Sequence, residues 1–126
     1  MATTIEKLLA TPKRVRQEKQ IQFKSWTDAD GEPVVFTIRE LTYSEIADIK
    51  KVNSGADISA AIIATGVATP NLRDDRLQQL YGVATPYDLI RRMLRPGEIE
   101  ELQIEIERLA GYRTRTLELI ADIEKN

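Results

Sequence analysis

A chain of 126 residues with 18 basic and 20 acidic side chains, 42% hydrophobic and 6% aromatic content has the size and balance of one soluble domain. It contains no cysteine and no histidine, which excludes a disulfide framework, a thiolate nucleophile, a Cys/His zinc site, a Ser-His-Asp triad and any imidazole acid or base. Carboxylate, lysine or tyrosine chemistry, an all-oxygen metal site and plain binding are left, with binding the leading reading.

The net charge of -2 hides an uneven distribution: residues 1–25 carry +4, residues 26–97 carry -2 and residues 98–126 carry -4. Attraction between the two ends, or head-to-tail association of copies, is one consequence. A solvated surface without a partner is the plainer account. The longest uncharged run, Ile58 to Leu72, has 15 residues and contains Gly66, Pro70 and Asn71. It falls short of the roughly 20 apolar residues of a membrane helix. The opening MATTIEKLLA lacks a charged region followed by an apolar run, so a cytoplasmic protein is expected.

In chain order, Thr4 caps a turn bearing Ile5, Leu8 and Leu9, which ends before Thr11-Pro12 because a residue preceding proline avoids the helical region. The basic run Lys13, Arg14, Arg16, Lys19 follows. Gln20 to Lys24 alternates polar and apolar residues as a half-buried strand does. Turn residues fill Thr27 to Pro33, and Val34 to Leu41 is rich in β-branched and aromatic residues. These pieces predict a β-hairpin with Ile21, Phe23, Phe36 and Ile38 on one face, which must pack on something helical because two strands alone are marginal.

Beyond Leu41 the period becomes helical. Thr42-x-x-Glu45 is a capping box before Ile46, Ile49 and Val52, with Asn53-Ser54-Gly55 as the stop. Asp57 is expected to cap a helix through Ile58, Ile62 and Ile63, weakened at Gly66 and stopped by Thr69-Pro70. Arg73 to Leu80 carries Leu77 and Leu80 and ends at Tyr81-Gly82. Thr85-Pro86 gives an N-cap and first helical residue before Leu89, Ile90, Met93 and Leu94. After Pro96-Gly97, the acidic Glu98, Glu100 and Glu101 suit a helix N-terminus ahead of Ile99, Leu102, Ile106 and Leu109, with Gly111 as the stop. A last helix is expected around Leu117, Ile120 and Ile123. The layout is α+β and mainly helical: a single domain, 1–126, with a short helix and basic arm (1–19), an N-terminal β-hairpin (20–41) and a helical part (42–126) of about five or six short helices.

Candidate sites are few. Asp28-x-Asp30-Gly31 resembles part of a calcium loop, but aligning its glycine puts Trp26 at the first ligand position and Thr37 where the bidentate glutamate belongs, so it reads as a hairpin turn. The basic arm lacks the interleaved aromatics and the positive balance of a nucleic-acid binder. Asp74-Asp75 and Glu98, Glu100, Glu101 are explained by helix starts rather than by acid-base or metal chemistry. The stripe Ile99, Leu102, Ile106, Leu109 has a/d spacing over two heptads, which fits a core and a partner groove equally.

Pro70-Asn71-Leu72 with Asp74-Asp75, Leu80-Tyr81-Gly82-Val83, Thr85-Pro86, Leu94-Arg95-Pro96-Gly97-Glu98-Ile99, Leu109-Ala110-Gly111-Tyr112 and the closing Lys125-Asn126 form an ordered phrase. Together with Ile5-Glu6-Lys7-Leu8-Leu9 and Phe36 to Thr42, it resembles the XkdN-like tail assembly chaperones of long-tailed phages and of prophages of Gram-positive bacteria. The resemblance spans nearly the whole chain. It implies a non-enzymatic protein, with no cofactor and no nucleic-acid or membrane partner. Such a protein works in the host bacterial cytoplasm, binds the tape-measure protein, keeps it soluble, helps recruit the tail-tube protein and is absent from the mature virion. A long amphipathic helix without its final partners exposes apolar patches that an apolar groove would cover. The expected partner-binding face is Leu77, Leu80, Tyr81, Leu89, Leu94, Ile99, Leu102 and Ile106. A longer form of the chain, made by a frameshift near Glu124-Lys125-Asn126, is a further expected partner, as is a second copy in a homo-oligomer. The rival is a head-tail connector or tail-terminator component that stays in the virion.

Overall fold

The computed structural model describes residues 1–120. Among these residues lie six helices and a three-stranded antiparallel sheet: α1 (Thr4–Ala10), β1 (Glu18–Thr27), β2 (Pro33–Arg39), α2 (Tyr43–Val52), α3 (Ala56–Gly66), β3 (Val67–Thr69), α4 (Asp75–Leu80), α5 (Pro86–Met93) and α6 (Pro96–Leu109). This is the expected α+β, mainly helical layout.

The hairpin forms where the alternation puts it. Ile21 sits opposite Phe36, so the apolar residues of both strands share a face. The register shifts between Gln22 and Thr27, and the extra residues of β1 bring Trp26 onto that same face. Its ring lies 5.6 Å from Phe36 and 6.0 Å from Phe23. In the turn, the Asp28 carboxylate accepts from the amides of Asp30 (2.8 Å) and Glu32 (3.0 Å), and Gly31 takes φ +82. The acidic loop thus serves the turn.

The sheet has a third strand that no period in the sequence marks. Val67–Thr69 pairs with β2, Val67 opposite Ile38 and Thr69 opposite Thr37. The helix before it ends at Gly66, ahead of the stop expected at Thr69-Pro70, and the chain turns into the sheet. The Arg39 guanidinium steadies the junction by donating to the Thr65 carbonyl at 2.9 Å.

Helix starts follow capping chemistry with small displacements. Thr42 and Glu45 form the expected capping box on α2, their amides accepted at 2.9 and 3.2 Å, and Thr85 accepts from the Asp88 amide at 3.1 Å ahead of Pro86. Thr3, not Thr4, caps α1. Gly55 with φ 57, not Asp57, precedes α3, because the three-residue link from α2 needs a positive φ that aspartate adopts less readily. Of the helix expected around Leu117, Ile120 and Ile123, Arg115 to Leu119 are not helical and Ile120 is, and Leu117, Leu119 and Ile120 are exposed. Ile123 and the end Glu124-Lys125-Asn126 lie outside the described residues.

α3 is the hub and packs on α2, α5 and α6, while α6 also meets β2. Phe36, Ile38, Ile63, Leu89, Ile90, Leu102 and Ile106 are closed off almost completely, and no polar side chain is buried among the described residues. At Gly66 the α3 backbone comes so close to α6 that a Cβ would lie 2.7 Å from Ile106 Cγ2. The basic arm is partly neutralised within the chain: Arg16 pairs with Glu45 and donates to the Glu40 carbonyl at 2.7 Å, and Lys19 lies 3.7 Å from Glu105.

Candidate functional site: an apolar groove beside α4

The stretch from Pro70 to Leu80 leaves the sheet edge and folds back on the core. Leu72 is buried, and its carbonyl accepts from the Gln78 side chain at 3.2 Å. The Asn71 side chain accepts from the Arg73 amide at 3.0 Å, and Asp74 caps α4 by accepting from the Arg76 amide at 2.8 Å. The Arg76 guanidinium also pairs with the Asp74 carboxylate at 2.9 Å. That hydrogen bond, with the amide beside it, lowers the Asp74 pKa to about 2 from 3.8 and raises that of Arg76.

A groove of about 410 Å³ runs along this segment, lined by Pro70, Asn71, Asp74, Arg76, Leu77 and Leu80. Its polar residues are committed to the cap and the ion pair, so the surface it offers a partner is apolar: Pro70, Leu77 and Leu80. Leu80 is 75% exposed at the lip. A second groove of about 350 Å³ opens between α3, α5 and α6, floored by Ala56 and Ala60 and walled by Ile90, Leu94, Pro96 and Ile99. Arg91 bridges Asp57 and Asp88 at its rim.

The eight residues expected to form one partner face divide. Leu89, Leu94, Leu102 and Ile106 are 0 to 4% exposed and belong to the core, and of these only Leu94 borders a groove, the second one. α5 and α6 each bury one stripe against α3, and the spacing marks that stripe. Ile99 and Tyr81 are half-buried against the core, as is Leu77 at the groove floor. Leu80 alone of the eight is openly exposed. The a/d stripe of α6 is therefore mainly core, with Leu102 and Ile106 inside and Ile99 and Leu109 at its margins. Pro70 and Asp74, which the sequence marks as a helix stop and a helix start, line the groove, as do Asn71 and Arg76, which no sequence signal singles out as groove residues.

The chain is a small α+β protein with an apolar groove, and the described residues hold no cluster of His, Cys, Asp or Glu suited to a metal. The chain belongs to the phage XkdN-like tail assembly chaperone proteins, whose family model matches residues 5–124. It is thus a phage tail assembly chaperone. The crystal structure of the protein yqbn has the same fold, with a TM-score of 0.68 over 79% of this chain and 89% of that one at 20% identity. A comparison with curated proteins gives no match. No helix among the described residues is long and apolar enough to cross a membrane.

Proposed function

We propose that this chaperone holds an amphipathic helical segment of the tape-measure protein in the groove of Pro70, Leu77 and Leu80. Covering that segment keeps the tape-measure protein from aggregating until tail-tube subunits replace the chaperone. The action is binding without catalysis, in the host cytoplasm, and the chaperone leaves before the virion is complete. The observation that supports this reading is Leu80, a large apolar side chain left in water at the lip of a groove whose polar groups are already paired. A longer frameshifted form of the chain, diverging near its end, would present the same groove with an added tail.

The test is co-expression with the tape-measure protein of the same gene cluster. Leu80→Asp, at a position too exposed to disturb folding, is expected to abolish co-purification and leave the tape-measure protein insoluble. Unchanged recovery of the pair would overturn the assignment of the groove. Mass spectrometry of purified particles should find no copy of this chain, whereas a stoichiometric signal would assign it to the virion.

A further inference from the structure

Outside the groove, the most exposed apolar stripe is on α1. Ile5, Leu8 and Leu9, at i, i+3 and i+4, are 69%, 68% and 81% exposed, and no residue of α1 is buried. We propose that α1 is a second arm of the client site, gripping a helical segment whose apolar stripe is flanked by carboxylates while the same segment lies in the groove of Pro70, Leu77 and Leu80. This inference rests on the reading of that groove as the client site.

The arm is prepared for docking. Thr3 and Glu6 close a full capping box at its start, and the Thr11 hydroxyl donates to the Lys7 carbonyl at 2.8 Å at its end. A helix of this length does not hold by itself in water, so locally held ends reduce what must be ordered on binding. The charge around the stripe selects the partner. Lys7, Lys13 and Arg14 make no ion pair among the described residues, while Glu6 is engaged in the cap. Carboxylates flanking the client's stripe would complement them.

The sheet places arm and groove within reach of each other. Gln20 pairs with Thr37, and Thr37 with Thr69, so β1 at Gln20 stands two strand spacings, about 10 Å, from the edge that leads into Pro70, and the root of the arm at Arg16 lies about 13 Å further along, on the side away from Pro70. Arg16 pins the root to the Glu40 carbonyl, and the five residues Thr11 to Val15 add a reach of about 17 Å. A client helix of about 20 residues is about 30 Å long, enough to meet both. Each contact is small, and tethering makes the second effectively intramolecular.

The experiment is fluorescence anisotropy with two labelled helical peptides of about 20 residues that share a leucine stripe, one flanked by glutamates and the other by lysines. The full chain should bind the glutamate peptide more tightly. Leu8→Asp with Leu9→Asp should weaken that binding by at least about tenfold without changing the circular dichroism of the fold, and Lys13→Glu with Arg14→Glu should reverse the peptide preference. Unchanged binding by the α1 variant, with binding lost in Leu80→Asp, would overturn the arm and leave the groove standing. Indifference to both variants would remove the groove reading as well. Self-association in sedimentation that the α1 variant abolishes, with peptide binding intact, would give the stripe to a second copy and overturn the proposal.

Discussion

Gly66 shows how one residue sets the distance between two helices. A Cβ there would lie 2.7 and 2.8 Å from the Cγ2 and Cδ1 of Ile106, and Ile106 is fully buried, so neither side can yield. Gly66→Ala is expected to destabilise the fold by about 1–3 kcal/mol in urea unfolding. From the sequence this glycine read only as a weak point in a helix, since the partner that makes it necessary lies forty residues downstream. Asp74 carries an electrostatic signature instead. Its folded pKa of about 2 lies below the ordinary 3.8, so the stability it contributes is complete above about pH 3.8 and is lost as the pH falls toward 2. A carboxyl titration by NMR should place its midpoint near 2, and Arg76→Ala should return it toward 3.8.

At the scale of elements, what is encoded locally was legible and what depends on contact at a distance was not. The capping box at Thr42 and Glu45 and the start of α5 at Thr85-Pro86 rest on residues within four positions of one another, and the hairpin on two alternating runs joined by a short turn. Their chemistry is complete in the sequence. Thr42→Ala is expected to cost about 0.5–2 kcal/mol, measured by thermal or denaturant unfolding, because it removes the acceptor of the Glu45 amide. β3 is the opposite case. Three residues carry no period, and they become a strand because β2 presents an open edge to them. The expected partner face divides for the same reason: spacing marks which residues of α5 and α6 lie on one stripe, but it does not say whether that stripe faces a partner or the chain's own α3. Leu80 could be told from Leu89 only once the packing was known.

Taken as a whole, the molecule has one hydrophobic core that spans α2 to α6 and the sheet, with α1 outside it. Removing residues 1–11 should therefore leave the unfolding free energy within about 0.5 kcal/mol of the full chain, and hydrogen exchange should find α1 amides unprotected while those of α3 exchange only by global opening. A shift in stability larger than that would place α1 against the body of the protein. The ion pairs at the surface, such as Lys19 with Glu105 at 3.7 Å, are too exposed to alter this division. The interior holds no polar side chain among the described residues, and this bears on how such a chain can change over time. A buried hydrogen-bond network ties each member to a particular partner and geometry, whereas an interior of aliphatic and aromatic groups asks only for volume and shape. Leucine, isoleucine, methionine and valine can then trade places in small compensated steps while the backbone path is kept. A shared fold at 20% identity with yqbn is what such an unconstrained interior permits. Two of these proteins can hold one architecture while the outer surfaces diverge freely.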